Sequence, residues 1–331
     1  MIPTLDLFSG IAGFSYALNS IAKTVAYCEI NKDCRDLLSN LMNNKKIDEA
    51  PIFEDITKLT GLDLKKLKPK MLTAGFPCTD ISGANINGKG LDGSRSGLFF
   101  EIMRIIDETP SISYILLENS PMIRIRGLSR IRKELKKRNF NLVWGYFEAK
   151  MVGALHKRKR WICFGYKELG TDLKYINEKS IKYNWTKTIP LIVKKTPENK
   201  NYLNRCMMLG NSIVPQMIRY AWNVLLQNTF DSNKNEVKDI KSIYTNNVSV
   251  ILYDSKNTIT KHRWATPTFS RWGQYKILTE RGTHNLSNQI FYKEDLQVDS
   301  NIPINMRDKF YRINPNFIEN LMGYPKDWTK F

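Results

Sequence analysis

Seven short apolar runs punctuate the first half of the chain, and stretches with apolar positions three and four residues apart separate most of them. The runs are Pro3 to Phe8, Thr24 to Cys28, Ala50 to Phe53, Met71 to Ala74, Ile112 to Leu117, Leu142 to Phe147 and Trp161 to Gly165. Helical spacing follows the first as far as Ile21 and recurs over Asn31 to Met42, Gly97 to Ile106 and Leu128 to Arg138. Strands alternating with helices predict an α/β, Rossmann-like, doubly wound and mostly parallel sheet, with ligands at the strands' carboxyl ends. The last two strands are read as joined through the short basic connection His156 to Arg160. A parallel crossover needs about a dozen residues, so this link predicts a hairpin and a sheet that ends in one reversed strand.

The polar residues cluster where those strands should end. The first strand runs into Ser9, Gly10, Ile11, Ala12 and Gly13, a glycine turn at the start of a helix that lets backbone approach a ligand. Glu29 ends the second strand, 19 residues after Gly10, where an acid accepts hydrogen bonds from ribose hydroxyls. A nicotinamide-dinucleotide enzyme is the obvious rival. Its GxGxxG fingerprint fails, because Ala12 and Ser15 occupy the second and third glycine positions. The turn better suits a nucleoside-bearing cofactor without phosphates. Glu54 and Asp55 end the third strand, and Glu118, Asn119, Ser120 and Pro121 follow the fifth. The fourth stops at Gly75-Phe76-Pro77-Cys78 and opens into a polar stretch to Ser96 that holds Gly83, Gly88, Gly90 and Gly93. A thiol placed there is accessible to a substrate. Each feature has a plainer reading: Cys78 structural, Glu29 and Asp55 ordinary strand-end acids, Phe8 core, and Arg130, Lys133 and Lys137 a solvated helix face rather than phosphate contacts.

Composition narrows the partners. The 331 residues carry 51 Lys and Arg against 32 Asp and Glu, a net charge of +19, which favours a polyanion and above all nucleic acid. No signal peptide is evident and no apolar run approaches the roughly 18 residues that span a bilayer, so a soluble, cytoplasmic protein is expected. The five cysteines Cys28, Cys34, Cys78, Cys163 and Cys206 lack the paired spacing of a zinc or dithiol site, and reduced thiols with no metal are expected.

Beyond the seventh strand the pattern loosens. Residues 167–200, rich in Lys and Asn, are expected to be an insert or connector. Apolar positions recur helically from Cys206 to Leu226, with Pro215 tolerable in a first turn, and Asp231 to Asn247 is a charged hinge. Past it, Trp264, Trp272, Tyr275, Tyr292 and Tyr311 alternate with Arg263, Arg271, Arg281, Arg307 and Arg312. These aromatics suit either a small β-rich core or contacts to base edges. The expected division is a domain at 1–230 and a smaller one at 231–331.

Five segments of the chain, DLFSGIAGF, GFPCTDIS, LLENSP, HKRKRWICFG and LGNSIVPQ, resemble motifs of the DNA (cytosine-5) methyltransferases. The resemblance implies a class I methyltransferase fold, S-adenosylmethionine as cofactor, double-stranded DNA as partner and a monomer. It further implies that Cys78 adds to carbon 6 of a flipped cytosine, that a protonated Glu118 bonds ring nitrogen 3, and that Arg160 binds the exocyclic oxygen. Arg158 would help to lower the thiol pKa. The same resemblance places Phe8, Gly10, Ile11, Ala12, Gly13, Glu29, Ile30, Asp55, Ile56, Pro77, Asn211 and Ser212 around the cofactor, and makes 231–331 the target-recognition domain. Ala12 stands for a glycine, Thr79 and His156 for glutamines, and Ser120 for a valine. The order also differs, because Leu209 to Gln216 resembles a motif that normally comes last, yet Asn314 to Thr329 follows it. Two other readings stay open: cytosine-5 methylation of RNA, and a binding protein that has kept the fold without catalysis.

Overall fold

The computed structural model describes residues 1–77, 97–185, 189–190, 192–194, 202–232 and 311–330. Seven strands make one sheet: β1 (Ile2–Leu7), β2 (Ala22–Cys28), β3 (Ile52–Phe53), β4 (Met71–Gly75), β5 (Tyr114–Asn119), β6 (Asn141–Glu148) and β7 (Lys159–Tyr166). Their order is β3-β2-β1-β4-β5-β7-β6. The first five are parallel, and β7 is antiparallel to both of its neighbours. From β1 the chain winds outward through β2 and β3, then returns to continue on the other side with β4. This reversal puts the switch-point crevice at the carboxyl ends of β1 and β4, where Phe8 and Phe76 leave the sheet.

The reversed strand is present, but it does not end the sheet as expected. β7 lies between β5 and β6, and β6 is the edge. Burial gives the reason: from Trp161 to Tyr166 every residue of β7 is buried, so it needs neighbours on both sides, whereas β6 alternates buried and half-buried positions as an edge strand does.

Two cores cover the sheet. Against one face pack α1 (Gly13–Leu18), α2 (Lys32–Asn43) and α9 (Pro215–Ser232), with the single turn α7 (Glu178–Ile181) beside α9; against the other pack α3 (Gly61–Leu64), α4 (Gly97–Glu108), the short α5 (Ile123–Arg126) and α6 (Leu128–Lys136). The helical run predicted from Cys206 to Leu226 is two helices, α8 (Tyr202–Asn211) and α9, parted at Ser212 to Val214. Pro215 opens α9, a position where its missing N–H costs nothing. Trp222 of α9 is fully buried, and a side chain of that size stabilises the packing by roughly 2–3 kcal/mol.

Residues 167–185, expected to be an insert or connector within 1–230, pack into the body: Leu173, Ile176 and Trp185 enter the core, Asp172 joins Lys70 at 2.6 Å, and Asn223 of α9 bonds the backbone of Ile176 twice. Residues 311–330, expected in the smaller domain, pack into it too. Their strand β9 (Tyr311–Ile313) pairs with β8 (Ile192–Lys194), and α10 (Pro315–Leu321) delivers Phe317, Ile318 and Leu321 to the same core as α1 and α9. The segment ends in buried Tyr324 and Trp328. The two segments whose chain order is exchanged thus lie side by side, with Gln216 Nε2 donating to the Gly323 carbonyl at 2.8 Å.

Candidate active site

The crevice has two ends. At the first, the turn after β1 alternates through the left-handed region at Phe8 (φ 55°), Gly10 (φ 52°) and Ala12 (φ 61°). For a non-glycine residue this conformation costs about 1–2 kcal/mol, so the surroundings must impose it. Ser9 Oγ donates to the Asp6 carbonyl (2.7 Å) and Ser9 N to the Cys28 carbonyl (3.1 Å); Ala12 N donates to the Ser9 carbonyl (2.9 Å). Glu29, at the tip of β2, accepts from Gly10 N on Oε2 and from Asn31 N on Oε1, both at 2.8 Å. Each carboxylate oxygen keeps a second lone-pair direction for a hydroxyl. Beside it the Ile30 side chain is 73% exposed, an apolar surface suited to a flat ring.

Asp55 ends the neighbouring strand. Its Oδ1 accepts from the backbone and side chain of Thr57, and these bonds hold its carboxyl below the usual range. The side chains of Ile11, Ala12 and Ile56 are core, so only their backbone can face a ligand. Asn211 and Ser212 lie at the break between α8 and α9. There Ile213 comes so close that a Cβ on Gly13 would meet its Cγ1 at 2.5 Å and the Tyr324 hydroxyl at 2.7 Å. Only glycine fits at position 13.

Under this turn is a group that the sequence reading passed over. Asp6 is buried, accepts from Thr73 Oγ1 at 2.6 Å on Oδ1, and has no hydrogen-bond partner for Oδ2 among the described residues. Burial pushes its carboxyl up to about 8, against the lowering effect of Thr73 and with a further rise from Glu29. The one signal in sequence is an acid inside an otherwise apolar strand. An orphaned carboxyl oxygen below a nucleoside-sized turn fits a cofactor with polar groups at that end.

At the second end, Gly75 of β4 is in register with Glu118 of β5, and a Cβ at Gly75 would lie 3.3 Å from Glu118 Oε2. Arg160 Nε reaches Glu118 Oε1 at 2.8 Å from β7. Asn119 Nδ2 donates to the Phe76 carbonyl at 3.1 Å, which pins the chain leaving β4 to the tip of β5. Pro77 is exposed just beyond. Cys78 and the glycine-rich stretch after it lie outside the described residues. The other four thiols, Cys28, Cys34, Cys163 and Cys206, are buried, and burial pushes each of them up, which suppresses the reactive thiolate.

The arginine motif does more than face the cleft. Arg158 is buried and donates to the carbonyls of Gly210 and Ser212, so it braces the break between α8 and α9 against β7. His156 is buried too, with Nε2 2.8 Å from the Leu321 carbonyl; burial and the nearby Arg158 push it down to about 3. The imidazole is therefore neutral and serves as a link to the C-terminal segment.

The geometry agrees with the company the chain keeps. It is 34% identical over 235 residues to the type II methyltransferase M.CviJI of Paramecium bursaria Chlorella virus IL3A, across 70% of this chain and 61% of that protein. It is 30% identical over 166 residues to the type II methyltransferase M2.BsuMI of Bacillus subtilis, across 48% of this chain and 40% of that one. With the tRNA (cytosine(38)-C(5))-methyltransferase of Schizosaccharomyces pombe it shares 27% over 162 residues, 47% of either chain. The chain thus spans about two fifths to three fifths of the length of these three relatives. Its residues 2–331 match the family model for C-5 cytosine-specific DNA methylase, and the chain belongs to that family.

Proposed function

We propose that this protein transfers a methyl group to carbon 5 of cytosine in DNA through a covalent adduct with Cys78. The observation that carries the reading is the Glu118 carboxyl, held by Arg160 and in register with Gly75, three residues before Cys78. Carbon 5 of cytosine is a poor nucleophile until something adds to carbon 6, and a thiolate does this well. Cys78 Sγ bonds to carbon 6 as Glu118 gives a proton to ring nitrogen 3, so the electron pair of the opened double bond becomes available at carbon 5. S-adenosylmethionine supplies an electrophilic methyl group to that carbon. Loss of the carbon-5 proton to a water base, with return of the ring-nitrogen-3 proton to Glu118, then restores the double bond and expels Cys78 as thiolate. Arg160 orients Glu118 and holds the exocyclic oxygen, while Arg158 adds positive potential and supports the pocket wall.

The methyl donor would lie along the first end of the crevice. Glu29 takes the ribose hydroxyls, Ile30 and Phe8 the adenine faces and Asp55 the exocyclic amine, and Gly10 to Gly13 with Asn211 and Ser212 take the methionine part. The target base must leave the duplex to reach Cys78. The stretch between Ser232 and Tyr311, where arginines alternate with aromatics, is the part that would meet the flanking bases.

Duplex DNA carrying 5-fluorocytosine tests the reading, because fluorine cannot depart as a proton does. Wild type with the methyl donor should form a stable adduct, Cys34→Ala should still form it, and Cys78→Ala should not. The tRNA-modifying relative gives a second reading, RNA as substrate. An adduct on 5-fluorocytidine RNA and none on DNA would replace the first reading with the second.

A further inference from the structure

The residues expected to touch the methyl donor lie far, in sequence, from the segment that holds them in place. Trp328 Nε1 donates to the carbonyl of Ile11 at 3.0 Å, inside the left-handed turn. The Tyr324 hydroxyl donates to the Ile213 carbonyl at 3.2 Å and lies where a side chain on Gly13 would go. Both rings pack on α1 through Tyr16, whose centroid is 4.7 Å from that of Trp328, tilted, and 6.2 Å from that of Tyr324, stacked. The base of the segment is clamped separately: Glu319, fully buried, accepts from Arg205 (2.9 Å) and from Thr329 N and Oγ1 (2.8 and 2.6 Å).

We propose that residues 314–329 form a strap that sets the conformation of the cofactor turn, with Trp328 and Tyr324 as positioning residues for the methyl donor. The inference rests on the reading of Phe8 to Gly13 as the donor's site. A turn with two strained non-glycine residues keeps its shape only if outside groups hold it, and the indole N–H is the strap's grip on its main chain.

Trp222 provides the control. Its Nε1 donates to the Lys174 carbonyl at 2.9 Å, the same kind of bond away from the turn. Calorimetric titration of the full chain with S-adenosylhomocysteine, in parallel with thermal melting, reads the difference. Trp328→Phe keeps a ring and removes the donor, and should weaken binding roughly three- to tenfold. Trp222→Phe should lower the melting temperature similarly and leave binding unchanged. If Trp328→Phe proves too unstable to titrate, Tyr324→Phe should weaken binding in the same direction. Wild-type affinity in the Trp328 or Tyr324 variant, or an equal loss in Trp222→Phe, would overturn the strap. A wild-type chain that binds no S-adenosylhomocysteine would overturn the reading of the turn itself.

Discussion

The two ends of the crevice are built differently. The end proposed for cytosine comes from neighbours in the sheet: Gly75 and Glu118 are register partners, and Arg160 comes from the next strand, so side chains meet because strands pair. The end proposed for the cofactor is mostly main chain, in a conformation that its own residues disfavour, held by Glu29 from the tip of β2, Ile213 from a late helix break and Trp328 from near the carboxyl end. One end therefore depends on local chemistry, and the other on distant parts of the chain arriving in place.

If that contrast is right, damage at the two ends has different signatures. Glu118→Gln removes the proton donor and keeps the shape, so methylation should fall by about two to four orders of magnitude with cofactor affinity intact. Single-turnover rates set against calorimetric binding check this; a matching loss of cofactor affinity would erase the distinction. Gly13→Ala should act the other way. Its Cβ meets Ile213 and Tyr324, so it should cost about 1–3 kcal/mol of stability and loosen cofactor binding, as denaturant melts and titration would show.

His156 sharpens the comparison through pH. Its folded value near 3 lies below the ordinary 6.5, so between these values the unfolded chain binds a proton that the folded chain refuses, and stability falls as pH falls. From pH 6.5 to 5 this amounts to on the order of 2 kcal/mol. His156→Gln, whose amide can still donate to the Leu321 carbonyl, should flatten the acid side by that much in urea melts at the two pH values. Asp6 works in the opposite sense, since its raised carboxyl makes stability fall as pH rises from about 4 towards 8, but it is common to both chains and cancels in the difference. The smallest effect is expected at Ala12. Ala12→Gly relieves the left-handed strain but frees the unfolded chain, for a net gain of under about 1 kcal/mol by thermal melting.

Much of the sheet was legible in the sequence because strand tips announce themselves: an apolar run that stops at an acid marks the end of the element, and it brings Glu29 and Glu118 to the crevice. The place of β6 was not. Its Trp144 and Tyr146 are half-buried against one core, and Arg132 and Lys159 lie over their rings at 5.2 and 5.7 Å, so an edge strand carries the apolar run of an inner one. Asp6 was hidden by its apolar neighbours. The role of residues 311–330 was hidden more deeply, because the docking runs through single polar atoms, Trp328 Nε1 and His156 Nε2, whose partners are backbone carbonyls that no side-chain pattern encodes.

Helix α9 closes at Ser232 and strand β9 opens at Tyr311, both anchored in the same body. Whatever lies between them is spliced in through two fixed doorposts. If residues 233–310 meet the flanking bases as proposed, a lineage that keeps those posts can exchange the intervening cassette wholesale, and so change the sequences it acts on, without disturbing the rest of the machinery.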